Sequence, residues 1–188
     1  MKVCVVGAGG VGGLLAVVLR RAGVDVSLLV TERHLTAIRQ KGLTLIGPDG
    51  QFNVAIQAET DPHAVGACDV VIVTGKMWAV EALASTLKPL LGPNTAVIPL
   101  QNGIDAPDVL ARALGWEHVV YGSASMNAAI PPFFCALANE IRPDCMHQLP
   151  LRTGALGFIG STLAAALQRE KLRGQVDKAS EVAEGLSL

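Results

Sequence analysis

The sequence is short of aromatic residues, at 4%, and short of charge, at 16% with a net of −1. A chain so nearly neutral has no electrostatic hold on nucleic acid or on an anionic membrane surface. It carries no basic run and no low-complexity tract. Its four cysteines, Cys4, Cys68, Cys135 and Cys145, contain no C-x-x-C pair, so zinc-ribbon and dithiol redox motifs are excluded. Cys145 and His147 are two potential metal ligands, too few for a site, and no metal is expected. Reduced thiols point to the cytoplasm, with Cys4 and Cys68 as small core residues of buried strands.

Long apolar runs are also missing. The nearest is Val3 to Leu19, seventeen residues without charge. A membrane span needs about 20, and each glycine in a helix interior costs roughly 1 kcal/mol. The run passes into Arg20-Arg21 without the small-residue cleavage pattern of a secretory signal. Neither a membrane segment nor a leader is expected.

What is abundant is small and aliphatic. Hydrophobic residues make up 51% of 188, enough for one sizeable core built from Ala, Val and Leu. Five glycines stand within residues 7–13. Gly7, Gly9 and Gly12 fit G-x-G-x-x-G, between "KVCVV", read as a buried parallel strand, and "LLAVVLRRAG", read as a helix closed by Gly23. In that setting each glycine has its own task. The first permits the tight turn, the second admits a pyrophosphate close to the backbone, and the third lets the helix approach the sheet. The helix N-terminus then offers unpaired N–H groups to phosphate.

The remaining pattern alternates. "DVSLLV" reads as a second strand, and "TERHLTAIRQKG" as a short helix ending at Gly42. "LTLIGPDGQFNVAI" reads as two alternating segments about Pro48-Asp49-Gly50. "DPHAVGA" is a helical turn and "CDVVIVTGK" a buried strand. "WAVEALASTLKPLLG" reads as one amphipathic helix, "NTAVIPLQNG" as a strand, "DAPDVLARALG" as a helix capped by Asp105, and "HVVYGSASMNA" as a further strand. Ser161 to Leu172 reads as a helix capped by Ser161 or Thr162. The alternation predicts an α/β fold, a doubly wound parallel sheet of the Rossmann kind. The expected division is a dinucleotide-binding domain over 1–172 and an incomplete C-terminal extension over 173–188.

Ligands of such sheets lie outside the carboxyl ends of the strands. This singles out Gly7 to Gly12, Thr31 to Arg33, Thr74 to Lys76 and Gln101 to Gly103. Glu32 is placed to hold the ribose 2′-hydroxyl of NAD, or else merely favours a helix N-terminus. Arg33 is placed to meet the 2′-phosphate of NADP. Lys76 at a strand end can meet a phosphate, a carboxylate or a carbonyl oxygen, or be a solvated lysine. Asn102, in "LQNG", can hold a nicotinamide or a substrate hydroxyl, or simply make a turn. His34, His63, His118 and His147 have no arranged partners and read as structural or exposed.

The order G-x-G-x-x-G, "HLTAIRQKGL", "GK" closing a strand and "LQNG" resembles the ketopantoate reductase family over residues 1 to about 125, and more loosely beyond. The resemblance implies NADPH-dependent reduction of 2-dehydropantoate, or a similar 2-oxo acid, in the pantothenate pathway. It implies that Gly7, Ala8, Gly9, Gly10, Val11 and Gly12 bind the pyrophosphate, that Arg33 lies near the 2′-phosphate, and that Lys76 and Asn102 serve both cofactor and substrate. Glu32 leaves NAD open, and Thr31 stands where the family usually has an arginine. The family also has a second, helical domain with a lysine for the ketone oxygen and a carboxylate for the substrate. A loose alignment of "SEVAEGLSL" puts Gly185 at the lysine position and leaves the carboxylate without a counterpart. The catalytic residues are therefore unassigned. The chain is expected to supply mainly the cofactor-binding half and to expose apolar surface near 155–188 that favours self-association. A non-catalytic dinucleotide-binding module, or another hydroxy-acid dehydrogenase of this fold, are the alternatives.

Overall fold

A computed structural model of the chain describes residues 1–47 and 50–120. Five strands form a parallel sheet: β1 (Lys2–Val6), β2 (Asp25–Leu29), β5 (Gln57–Glu59), β6 (Cys68–Val73) and β7 (Leu91–Pro99), in the order β5-β2-β1-β6-β7. The chain winds outward from β1 through β2 to β5, then crosses back to β6 and β7. The order therefore reverses between β1 and β6, and a doubly wound sheet opens its ligand crevice at such a point.

The strands are apolar on both faces because both faces are covered. Val5 lies between Leu28 of β2 and Ile72 of β6 in register. Val3 and Val5 point into one core layer with Val70, Ile72, Ala96 and Ile98, beneath Leu15, Ala16 and Leu19 of α1 (Gly10–Arg21) and Leu35 and Ile38 of α2 (Glu32–Lys41). Cys4 and Val6 point the other way, with Val71, Val73 and Val97. That layer is closed by Val65 of α3 (Pro62–Val65), Val80 and Ala84 of α4 (Met77–Ala84), and Leu110, Ala111 and Leu114 of α5 (Ala106–Leu114). Each valine, leucine or isoleucine fully withdrawn from water contributes about 1.5–3 kcal/mol.

A hairpin lies outside the main sheet. In it β3 (Leu43–Gly47) pairs antiparallel with β4 (Gly50–Val54). Gly47 opposes Gly50, so Pro48 and Asp49 make the connection; those two lie outside the described residues. The hairpin rests on α1, where the Arg21 guanidinium lies 3.7 Å from the Phe52 ring centroid.

Four local readings of the sequence need correction. The helix after the glycines begins at Gly10 rather than Leu14, because the glycine turn runs directly into the first helical residue. β5 was not anticipated; three residues are too few for a period to show. The segment read as one amphipathic helix is two. The α-helix stops at Ala84 and a 3₁₀ stretch runs from Ser85 to Leu90. Pro89 has no N–H for the Ser85 carbonyl, and its ring would strike that oxygen in an α-helix. The tighter winding puts Leu87 and Leu90 on one side, and both are fully buried. Asp105 occupies the N-cap of α5, but its side chain makes no capping hydrogen bond.

Of the further strand expected after α5, Val119 bridges Val97 in parallel. The rest of that strand, the helix over 161–172, the 172/173 division, Cys135, Cys145, His147, Gly185 and the surface near 155–188 lie outside the described residues.

Candidate functional site

All four segments singled out in the sequence meet at one edge of the sheet. Gly7 follows β1, Thr31 to Arg33 follow β2, Thr74 to Lys76 follow β6, and Gln101 and Asn102 follow β7. The opposite, amino-terminal edge is fastened by Lys2, whose N–H donates to Asp69 Oδ2 at 2.7 Å and whose Nζ donates to Val65 O. It holds none of the candidate residues.

The glycine turn has a specific build. Gly7 adopts φ +103°, where a side chain would be strained, and donates its N–H to Leu29 O at 2.9 Å. Gly9 is the N-cap of α1, and the first helical bond runs from Gly13 N–H to Gly9 O at 2.7 Å. The N–H groups of Gly10, Val11 and Gly12 therefore precede the helical ladder. No side chain caps them, and the first turn has no acidic residue. Ala8 and Val11 place their side chains against the core, so only their backbone faces the edge.

Gly9 and Gly12 differ in what confines them. A Cβ on Gly12 would overlap Gly7 O and Thr74 Oγ1, so that position is closed by the protein itself. A Cβ on Gly9 would meet nothing within 4 Å among the described residues. Its lack of a side chain leaves open space directly in front of donors at the positive end of a helix dipole. A cradle of this kind suits an anion, and the pyrophosphate of a dinucleotide fits it.

Two polar side chains lace the strand ends together. Thr74 Oγ1 lies 2.9 Å from Val6 O and 3.1 Å from Gly7 O, and can donate to either. Gln101 Nε2 donates to Val73 O at 2.9 Å and to Gly75 O at 3.0 Å. Two carbonyls around one terminal atom fix that atom as nitrogen, so the other is oxygen. That oxygen, Gln101 Oε1, is buried with no hydrogen-bond partner among the described residues. An unpaired buried acceptor costs about 1–3 kcal/mol. The sequence pointed to Thr74 and Gln101 only as members of strand-end segments. The signal for their role is a polar residue closing an otherwise apolar strand.

Lys76, the N-cap of α4, and Asn102 are both exposed on neighbouring outgoing turns. Each is followed two residues later by an exposed large apolar side chain, Trp78 and Ile104. After β2, Thr31 is the N-cap of α2, while Glu32 and Arg33 are exposed in its first turn. Glu32 lies where a carboxylate complements the helix dipole, and its Oε1 accepts from Thr60 Oγ1 at 3.2 Å. Its protein partner thus engages one carboxylate oxygen. Further along α2, Arg39 binds Glu59 at 2.6 Å and Ala58 O at 3.2 Å, which fixes the helix to β5.

The other polar candidates have structural places. His118 Nδ1 lies 3.0 Å from Thr95 O, and His63 donates its backbone N–H to the α3 cap Asp61. Cys4 and Cys68 are buried free thiols. The Cys4 thiol is pushed well above its ordinary range, first by its hydrogen bond with Cys68 and then by burial. Among the described residues no three His, Cys, Asp or Glu side chains gather as a metal site. No helix there is long and apolar enough to cross a membrane.

The family described as ketopantoate reductase PanE/ApbA matches residues 3–133. A 2-dehydropantoate 2-reductase of Mesorhizobium japonicum is 38% identical over 106 residues, covering 55% of this chain and 32% of that protein. Another, from Nostoc sp., is 30% identical over 157 residues, covering 83% and 46%. The crystal structure of a PanE/ApbA family ketopantoate reductase from Ralstonia eutropha superposes with a TM-score of 0.62 at 33% identity, covering 69% of this chain and 42% of that one. The chain thus spans less than half the length of these relatives.

Proposed function

The chain belongs to the ketopantoate reductase PanE/ApbA family, and on that premise we propose that it supplies the dinucleotide-binding half of an NADPH-dependent reduction of 2-dehydropantoate, or a similar 2-oxo acid, to the 2-hydroxy acid. The observation that carries this reading is the open space over Gly9 in front of the N–H groups that begin α1. It supports a pyrophosphate held by backbone rather than by side chains.

A bound nicotinamide supplies the hydride for such a reaction. The chain's own residues bind and orient. The turn from Gly7 to Gly12 holds phosphate, and Arg33 offers a cation to a 2′-phosphate. Glu32 keeps its second carboxylate oxygen for a ribose hydroxyl, so NAD is the alternative to NADP. Lys76 presents a cation to the carboxylate or to the developing charge on the ketone oxygen. Asn102 presents both a donor and an acceptor to the nicotinamide or the substrate. Lys76 and Asn102 form one wall of a reaction cleft. The two described cysteines are free thiols, which supports a reducing, cytoplasmic setting.

The test is oxidation of NADPH in the presence of 2-dehydropantoate and a panel of other 2-oxo acids. Consumption that depends on the oxo acid is expected, and its loss in Lys76→Ala. Consumption independent of the oxo acid, or unchanged in Lys76→Ala, overturns the reading. NADPH binding without turnover of any oxo acid would instead favour a dinucleotide-binding module.

A further inference from the structure

Gln101 occupies an unfavourable position on its own terms. Half of its amide is satisfied by two backbone carbonyls, and the other half is buried without a partner among the described residues. A methionine of similar length would remove the unpaired acceptor, but it would also take the donor away from Val73 O and Gly75 O. The amide is therefore explained by what its donor end does. It holds Val73 O and Gly75 O together, the first at the end of β6 and the second directly before Lys76. Gln101 is also the residue before Asn102. One side chain thus ties the turn that presents Lys76 to the turn that presents Asn102. On the other side of the same turn, Thr74 ties it to Gly7.

We propose that Gln101 is a positioning residue: it fixes the 73–75 turn so that Lys76 faces the bound dinucleotide and oxo acid at a set distance from Asn102. The inference rests on the reading of Lys76 given above. It separates two things that a structural role would join. With Arg33 at the 2′-phosphate, the adenosine half of the ligand would lie against the glycine turn and α2, which the Gln101 side chain does not bond. The clamp acts only through Lys76 and its neighbour.

The test uses the full chain, with calorimetric titration of NADP⁺ and of adenosine 2′,5′-bisphosphate, which carries only the adenosine half. Gln101→Met should fold with a melting temperature close to wild type, because the unpaired acceptor it removes and the two hydrogen bonds it loses are of similar size. It should bind the bisphosphate within about twofold of wild type and NADP⁺ about tenfold more weakly, the scale of one charge-assisted contact. Lys76→Ala should lose a similar factor, and the double variant no more than Lys76→Ala alone. Factors that multiply in the double variant overturn the proposal, as does an equal loss for both ligands or no loss at all. Lys76→Ala binding like wild type would instead sink the assignment of Lys76 itself. If Gln101→Met does not fold, Gln101→Glu decides. Its carboxyl can donate to a carbonyl only when protonated, so its NADP⁺ affinity relative to wild type should fall as pH rises from about 5 to about 8. A ratio that does not change with pH overturns the proposal.

Discussion

The hydroxyl of Thr74 lies 3.1 Å from the carbonyl oxygen of Gly7, across the gap between β6 and β1. It links the turn that carries Lys76 to the turn that carries the glycines. Replacing it with valine keeps the shape and removes the bond. Thr74→Val should cost about 1 kcal/mol, the net worth of one such bond, read as a lower urea midpoint with an unchanged slope. Dinucleotide affinity should fall with it.

Gly12 faces the same hydroxyl from the helix side. A methyl group there would overlap Gly7 O and Thr74 Oγ1, and backbone cannot step aside as a flexible side chain can. Gly12→Ala should destabilise the fold by about 1–3 kcal/mol or more through overpacking. A thermal melt equal to wild type would show that α1 sits further from the sheet than described.

Arg33 should decide between the two nicotinamide dinucleotides. Arg33→Ala is expected to weaken NADPH about tenfold, by loss of a charge-assisted contact, and to leave NADH nearly unchanged. The wild-type preference should shrink at high salt, since Arg33 is exposed. Equal weakening of both, or a wild-type preference for NADH, would give the site to Glu32.

The buried thiols should be inert. Cys4 and Cys68 are both buried, and the Cys4 thiol is held protonated by its bond with Cys68 and by burial. In the native protein neither should be alkylated, as mass spectrometry of the digested peptides would show; both should label after unfolding. The same bond lowers the Cys68 thiol, so the two shifts oppose each other and the pair should add no marked pH dependence to stability around the ordinary thiol value of about 8.5. Rapid native labelling of Cys4 would contradict this packing.

The layers of this fold were legible because they rest on period and punctuation. Val3/Val5 and Cys4/Val6 alternate between two cores as an apolar strand covered on both sides must. Gly23 and Gly42 end their helices at positive φ. The candidate segments were legible as positions, because the carboxyl ends of parallel strands follow from strand order alone. The wiring between them was not. Thr74 and Gln101 act on carbonyls 68 and 28 residues away, and such pairings appear only once the register is fixed. The break at Ser85 was hidden because Leu83, Leu87 and Leu90 suit an α-helical and a 3₁₀ face almost equally. Pro89 was the local sign against the first. Glu32 and Arg33 stand side by side on one turn, so spacing could not choose between them.

The claim on which the rest depends is that the space over Gly9 is the seat of a dinucleotide. Titration calorimetry of NADPH into the wild-type chain and into Gly9→Leu tests it directly. A leucine there meets no atom of the described residues at its Cβ, and the φ of −68° is ordinary for any residue, so the variant should melt as wild type does. The account predicts one molecule of NADPH bound per chain in the wild type and no binding heat in Gly9→Leu. No heat from NADPH or NADH with the folded wild type, or equal binding by Gly9→Leu, would contradict it.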